Sequence, residues 1–236
     1  MIAHALSSDF LKIRGKGLWL LAAIGPIGIL TLQALNYGLR YDYMMRIYAE
    51  DPWGGLLMNL AFFIPISLYL GITLLSSLMA NIEHNNGSWK QLLALPITRT
   101  AVFCSKFMVC VFLLLFSGAL LAVGIAVLGL SLRLDSTAIP YGAIARLSFF
   151  PLLAALPLLA LMVWLCVIMK NQALPITLGV VCALFTIFPI VEWAPISWPM
   201  LGYRGPNQIW FVKAGALLGF IVFLAGLVHF GRKDVN

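Results

Sequence analysis

The chain has 236 residues, 62% of them hydrophobic and 10% charged, with a formal net charge of +7. Soluble domains carry about 25% charged residues, so this composition excludes a separate soluble domain and describes a membrane protein. The basic excess fits lysine and arginine flanking membrane spans, and with no soluble basic domain to carry it, it argues against nucleic-acid binding.

Residues 1–16 predict a helix lying on the membrane surface. Ile2, Leu6, Phe10 and Ile13 recur at helical spacing, with His4, Ser7, Asp9, Lys12 and Lys16 between them. A short amphipathic helix with basic residues suits the lipid interface. No cleaved signal peptide is expected here, because the following apolar run is long enough to span and no convincing small-residue cleavage site follows it.

Charges then divide the chain into apolar runs. A spanning helix needs about 20 mostly apolar residues. The runs predict six transmembrane helices, at about 17–39, 54–80, 107–130, 147–169, 172–191 and 210–230. They are continuous and do not alternate, which disfavours membrane strands. The fold expected is all-α and polytopic, a single transmembrane domain.

An even number of spans puts both termini on one side. With that side cytoplasmic, Lys12, Arg14, Lys16, Lys90, Arg99, Lys106, Lys170, Arg232 and Lys233 lie inside and the other six basic residues outside. This bias predicts cytoplasmic termini.

Gln33, Asn36 and Asn59 fall within the first two spans. Such residues either line a substrate path or make hydrogen bonds between helices.

Between the second and third spans lies the half-polar segment 81–106, "NIEHNNGSWKQLLALPITRTAVFCSK". "NNG" signals a turn. Ser88 and Gln91 form a capping box. Trp89, Leu92 and Leu93 give the following helix one apolar face. Pro96 stops it, because proline lacks the backbone donor and restricts the residue before it. Thr98 is placed to cap a new helix entering the third span. The segment thus encodes a short transverse helix, a break and re-entry. A loop resting on lipid is the plainer alternative.

Residues 192–210, "EWAPISWPMLGYRGPNQIW", hold three prolines and three tryptophans. They predict an external hairpin or short re-entrant element between the fifth and sixth spans, with tryptophans at headgroup depth.

Chemistry-bearing clusters are sparse. Cys104, Cys110, Cys166 and Cys182 lie in or beside apolar runs without zinc or redox spacing. His4, His84 and His229 are far apart, and Glu83-His84 is not a zinc-protease motif. No catalytic, metal or cofactor site is expected. The spans hold almost no ionisable residues, which argues against proton or sodium coupling.

The sequence Glu83, Gly87, Trp89, Lys90, Leu92, Leu93, Pro96, Arg99, Lys106 resembles the coupling-helix region of type-two ABC exporter permeases. It is particularly similar to the branch that includes lantibiotic-immunity and bacitracin-export permeases. The opening "SSDFLKIRGKGLWLL" also resembles that family's start, with Asp9 where the family usually has glutamate.

The resemblance implies a half-transporter of a bacterial cell membrane. Two permeases, identical or related, would pair above two ATP-binding subunits. This chain has no phosphate-binding loop of the G-x-x-x-x-G-K-[ST] type, so ATP and magnesium would belong to the partner. Glu83, Gly87, Ser88, Trp89, Lys90, Leu92, Leu93, Pro96 and Arg99 would form the ATPase-coupling interface. The cargo implied is an amphipathic, lantibiotic-like peptide taken from membrane lipid. Another hydrophobic cargo (drug, lipid-linked or haem-type) or a non-transporting structural subunit is the alternative.

Overall fold

The computed structural model describes residues 2–85, 98–135, 139–188 and 191–232, and within these the chain is helical without strands. The helices are α1 (Ile2–Ile13), α2 (Leu18–Leu39), α3 (Tyr41–Ile47), α4 (Pro52–Asn85), α5 (Arg99–Ser131), α6 (Tyr141–Ala154), α7 (Leu156–Ile168), α8 (Ala173–Phe185), α9 (Trp198–Arg204) and α10 (Gln208–Arg232).

Helices α2, α4, α5 and α10 are each long and apolar enough to cross a membrane. Helices α6 and α7 meet at a 46° bend and together make a fifth candidate. The bend has a local cause. Pro157 has no N–H for the carbonyl of Leu153, and its ring crowds that carbonyl. The Ala155 N–H instead bonds back to the end of α6.

The segment expected to span at 172–191 holds only the 13-residue α8. At 1.5 Å per residue such a helix covers roughly 20 Å, short of the roughly 30 Å hydrocarbon core. The chain turns after Phe185, where the Thr186 hydroxyl bonds back to the Ala183 carbonyl. It then returns to α4. Gly179 of α8 packs against Thr73, the Tyr69 hydroxyl donates to the Ile196 carbonyl at 3.0 Å, and Arg204 Nη2 donates to the Met58 carbonyl at 2.9 Å. Contacts therefore climb α4 from Thr73 to Met58 as the chain runs from α8 through a 3-10 turn (Pro195–Ser197) to α9. The proline-rich element is packed along the bundle.

Helix α1 forms as expected, but its inward face differs from the apolar stripe. Ala5, Asp9 and Ile13 are buried, while Leu11 is exposed. Asp9 turns inward because it has charged and hydroxyl partners on α5. Gly15 and Gly17, at φ 77° and 76°, let the chain turn sharply from α1 into α2, a conformation costly for residues with a Cβ.

Two apolar clusters fill the bundle. One gathers Tyr69, Leu75, Met79, Phe103, Leu113, Leu159 and Met162 toward the end that carries both chain termini. The other gathers Tyr37, Trp53, Leu56, Leu60, Leu121 and Leu147 toward the opposite end. There Trp53 Nε1 donates to the Asp135 carbonyl, tying the start of α4 to the segment after α5. Helix α10 packs closely on the α6–α7 bend because Gly215 and Gly219 present no side chain to Ala154 and Leu156. Large apolar residues such as Leu20, Ile24, Leu35, Val123 and Leu217 remain exposed on the outer faces, as lipid-facing residues would be.

Candidate functional site

The polar centre of the described residues lies where α1, the end of α4 and the start of α5 converge. Thr98 caps α5: its hydroxyl accepts the Ala101 N–H at 3.3 Å, as the sequence predicts. Helix α5 therefore begins at Arg99, and Lys106 sits inside it. The neighbouring residue Ser105 is buried too, and its hydroxyl donates to Asp9 Oδ2 at 2.6 Å.

Lys106 and Glu83 are each 1% exposed at the side chain. Lys106 Nζ lies 3.3 Å from Glu83 Oε1 and 3.8 Å from Asp9 Oδ1. Lys12 Nζ donates to the same Glu83 oxygen at 2.8 Å and lies 3.8 Å from Asp9 Oδ1. Two carboxylates and two ammonium groups thus alternate in a neutral cluster. Burying Asp9, Glu83 or Lys106 alone would be costly, and pairing with one another and with the partly exposed Lys12 is what permits them to be there.

This geometry gives Glu83 a place that the coupling motif does not reveal. Its carboxylate turns into the bundle and holds α1 and α5 to α4. Arg99 is half-buried at the first position of α5. Gly87, Ser88, Trp89, Lys90, Leu92, Leu93 and Pro96, and with them the expected coupling helix, lie outside the described residues. Sequence reasoning did not find Ser105. Its signal was a hydroxyl one residue before the lysine of the motif.

Gln33, Asn36 and Asn59 come together at the opposite end. Gln33 Nε2 donates to the Asn59 carbonyl at 3.3 Å, joining α2 to α4, and Asn36 Nδ2 donates to Gln33 Oε1 at 3.4 Å. All three line a cavity of about 590 Å³ together with Arg204. They therefore do both things the sequence leaves open: they bridge helices and they line a space. A second, apolar cavity of about 410 Å³ lies between α2, α4, α5 and α6. Leu32 and Phe63 line both.

At the end that carries the termini, Trp164 Nε1 donates to His229 Nδ1 at 3.1 Å. No group of histidine, cysteine and carboxylate side chains suited to a metal ion occurs among the described residues.

No curated protein and no solved structure matches the chain. The family model described as "ABC-2 family transporter protein" matches residues 5–186, from α1 through the end of α8. That match covers the ionic cluster, both cavities' α2 and α4 walls and most of the helical bundle. The chain belongs to the ABC-2 transporter family and is a multi-pass membrane protein of the kind that serves ABC exporters as permease.

Proposed function

We propose that this chain is the permease subunit of an ATP-driven exporter that expels a lantibiotic-like amphipathic peptide from a bacterial cell membrane. The family match over residues 5–186 carries the exporter reading. The cargo reading rests on the resemblance of Glu83, Gly87, Trp89, Lys90, Pro96 and Arg99 to immunity-type coupling regions. ATP and magnesium act on a separate subunit, and a second permease, identical or related, completes the transporter. Both termini and the segment 81–106 face the cytoplasm. The membrane is crossed six times, with α8 and α9 supplying one crossing in two pieces along α4.

In this mechanism the helix over 88–95 enters a cleft of the ATPase, with Trp89 as its large apolar contact. Glu83 and Lys106 carry motion of that helix to α1 and α5 through the buried cluster. Gln33, Asn36 and Asn59 border the cargo path at the far end. Cargo leaves uncleaved, because export moves the molecule without breaking its bonds.

The test is survival. Cells expressing the chain with its cognate ATPase, and a second permease where one exists, should tolerate higher doses of a lantibiotic-like peptide. Resistance should vanish with a catalytically dead ATPase, and intact peptide should appear in the medium. Peptide fragments, or resistance that persists with the dead ATPase, would overturn the exporter reading.

A further inference from the structure

We propose that the two adjoining cavities along α2 and α4 form a binding site for an anionic membrane lipid, with the acyl chain in the apolar cavity and the head at Arg204. This goes beyond the export reading: a resident lipid head would sit at the margin of the cargo path that Gln33, Asn36 and Asn59 border, whether or not cargo is moving.

The shape supports an elongated amphipath. The apolar cavity is walled by residues such as Leu21, Leu75 and Leu114, and it adjoins the polar one at Leu32 and Phe63, which line both. Lining residues Ile24, Leu35, Leu39, Met58 and Leu74 are exposed on the outer face, so entry is from the bilayer side. Each cavity lies within the range of about 300–1,000 Å³ typical of small-molecule sites, too small for a whole peptide.

The chemistry selects the head group. Among the described residues, no aspartate or glutamate lines either cavity. Arg204 carries five N–H donors, and one of its nitrogens bonds the Met58 carbonyl. It forms no ion pair with the described residues. Guanidinium groups match phosphate geometry well. Trp210 lies near the start of α10, six residues beyond Arg204, as expected at headgroup depth.

A second observation points to an occupant. Ser148 is one of the residues lining the apolar cavity, and its buried hydroxyl has no hydrogen-bond partner among the described residues. An unsatisfied buried hydroxyl costs free energy unless a ligand or water meets it, and an ester carbonyl of a lipid would do so.

The experiment uses the full chain in nanodiscs of phosphatidylcholine, probed with phosphatidylglycerol bearing an acyl-chain diazirine. Photolabelling should fall on peptides of α2, α4 and α5, and should exceed that of the matching phosphatidylcholine probe. Arg204→Gln should weaken phosphatidylglycerol labelling about tenfold, the scale of one lost charge-assisted hydrogen bond, and Arg204→Lys should restore most of it. Gly28→Phe should block both probes. An added Cβ at Gly28 meets nothing within 4 Å, so the ring fills the cavity without a backbone clash. Size-exclusion profile and melting temperature monitor folding of each variant. Equal labelling by both lipids, labelling indifferent to Gly28→Phe, or complete displacement by a lantibiotic-like peptide would each overturn the lipid site. So would a permease–permease cross-link at Leu35 replacing the lipid label.

Discussion

Lys106 and Glu83 lie 3.3 Å apart with both side chains 1% exposed, and each also contacts a residue of α1. The pair therefore fixes three segments at once: the amphipathic helix, the end of α4 and the start of α5. Its value lies in mutual compensation, since either charge alone would face an apolar interior.

Lys106→Met should destabilise the fold by about 3–5 kcal/mol, because Glu83 and Asp9 lose a buried partner. Adding Glu83→Gln should recover much of that loss by removing the stranded charge. Thermal unfolding in detergent would measure both. If the double variant is as unstable as the sum of the singles, the two residues are not coupled.

Asp9→Ala should loosen α1 while leaving the spans in place. The Ser105 hydroxyl loses its acceptor and Lys106 one of its two carboxylates. Hydrogen exchange over residues 2–13 should rise while α4 and α5 stay protected. Unchanged exchange would mean that Phe10 against Phe112, at 5.2 Å, suffices to hold the helix.

Gly219→Leu should be poorly tolerated. A Cβ there would lie 2.6 Å from the Leu156 Cβ and 2.9 Å from its backbone carbonyl carbon. Overpacking of this kind costs about 1–3 kcal/mol or more. Gly28→Ala, in open space on α2, should instead be neutral or stabilise by up to about 1 kcal/mol from helix propensity. The melting temperatures of the two variants should move apart.

Arg133 ends α5 at φ 59°, a left-handed conformation unusual for a residue with a side chain. The Leu134 N–H reaches the Gly129 carbonyl beyond it, closing the helix end. Arg133→Gly should stabilise the protein by about 1 kcal/mol, read as a raised melting temperature. A fall would show that the arginine side chain contributes more than its backbone costs.

Single cysteines at Asn86 and Asn207, in a background lacking the four native ones, test the proposed orientation. An impermeant thiol reagent added outside should label only position 207. Labelling at 86 from outside would reverse the topology.

The sequence showed the helical, membrane-embedded character plainly, because long apolar runs leave few other solutions. Thr98 was legible as a cap because its role is local. Asp9 was not legible as a buried residue: Ile2, Leu6, Phe10 and Ile13 mark a different face, and the partners that turn it inward are 96 residues and more away. Glu83 was legible as part of the coupling motif, but its pairing with Lys12 and Lys106 was not, because both partners lie far along the chain. The break between α8 and α9 announced itself in prolines. Its position along α4 did not, since the Tyr69 bond to Ile196 spans 127 residues.

The distance in sequence between Asp9 and Ser105 also has a temporal meaning. The carboxylate leaves the ribosome 96 residues before the hydroxyl it will bind. At about 5–20 residues per second this is an interval of roughly 5–20 s. Throughout it, α1 must keep Asp9 in contact with water or lipid headgroups, where an unpaired carboxylate is hydrated. Only when the start of α5 emerges can the acid be withdrawn from solvent. The amphipathic helix is thus made well before α5 but secured only once α5 begins to emerge, so nascent chains stalled before Ser105 should have α1 open to protease and those stalled well beyond it should not.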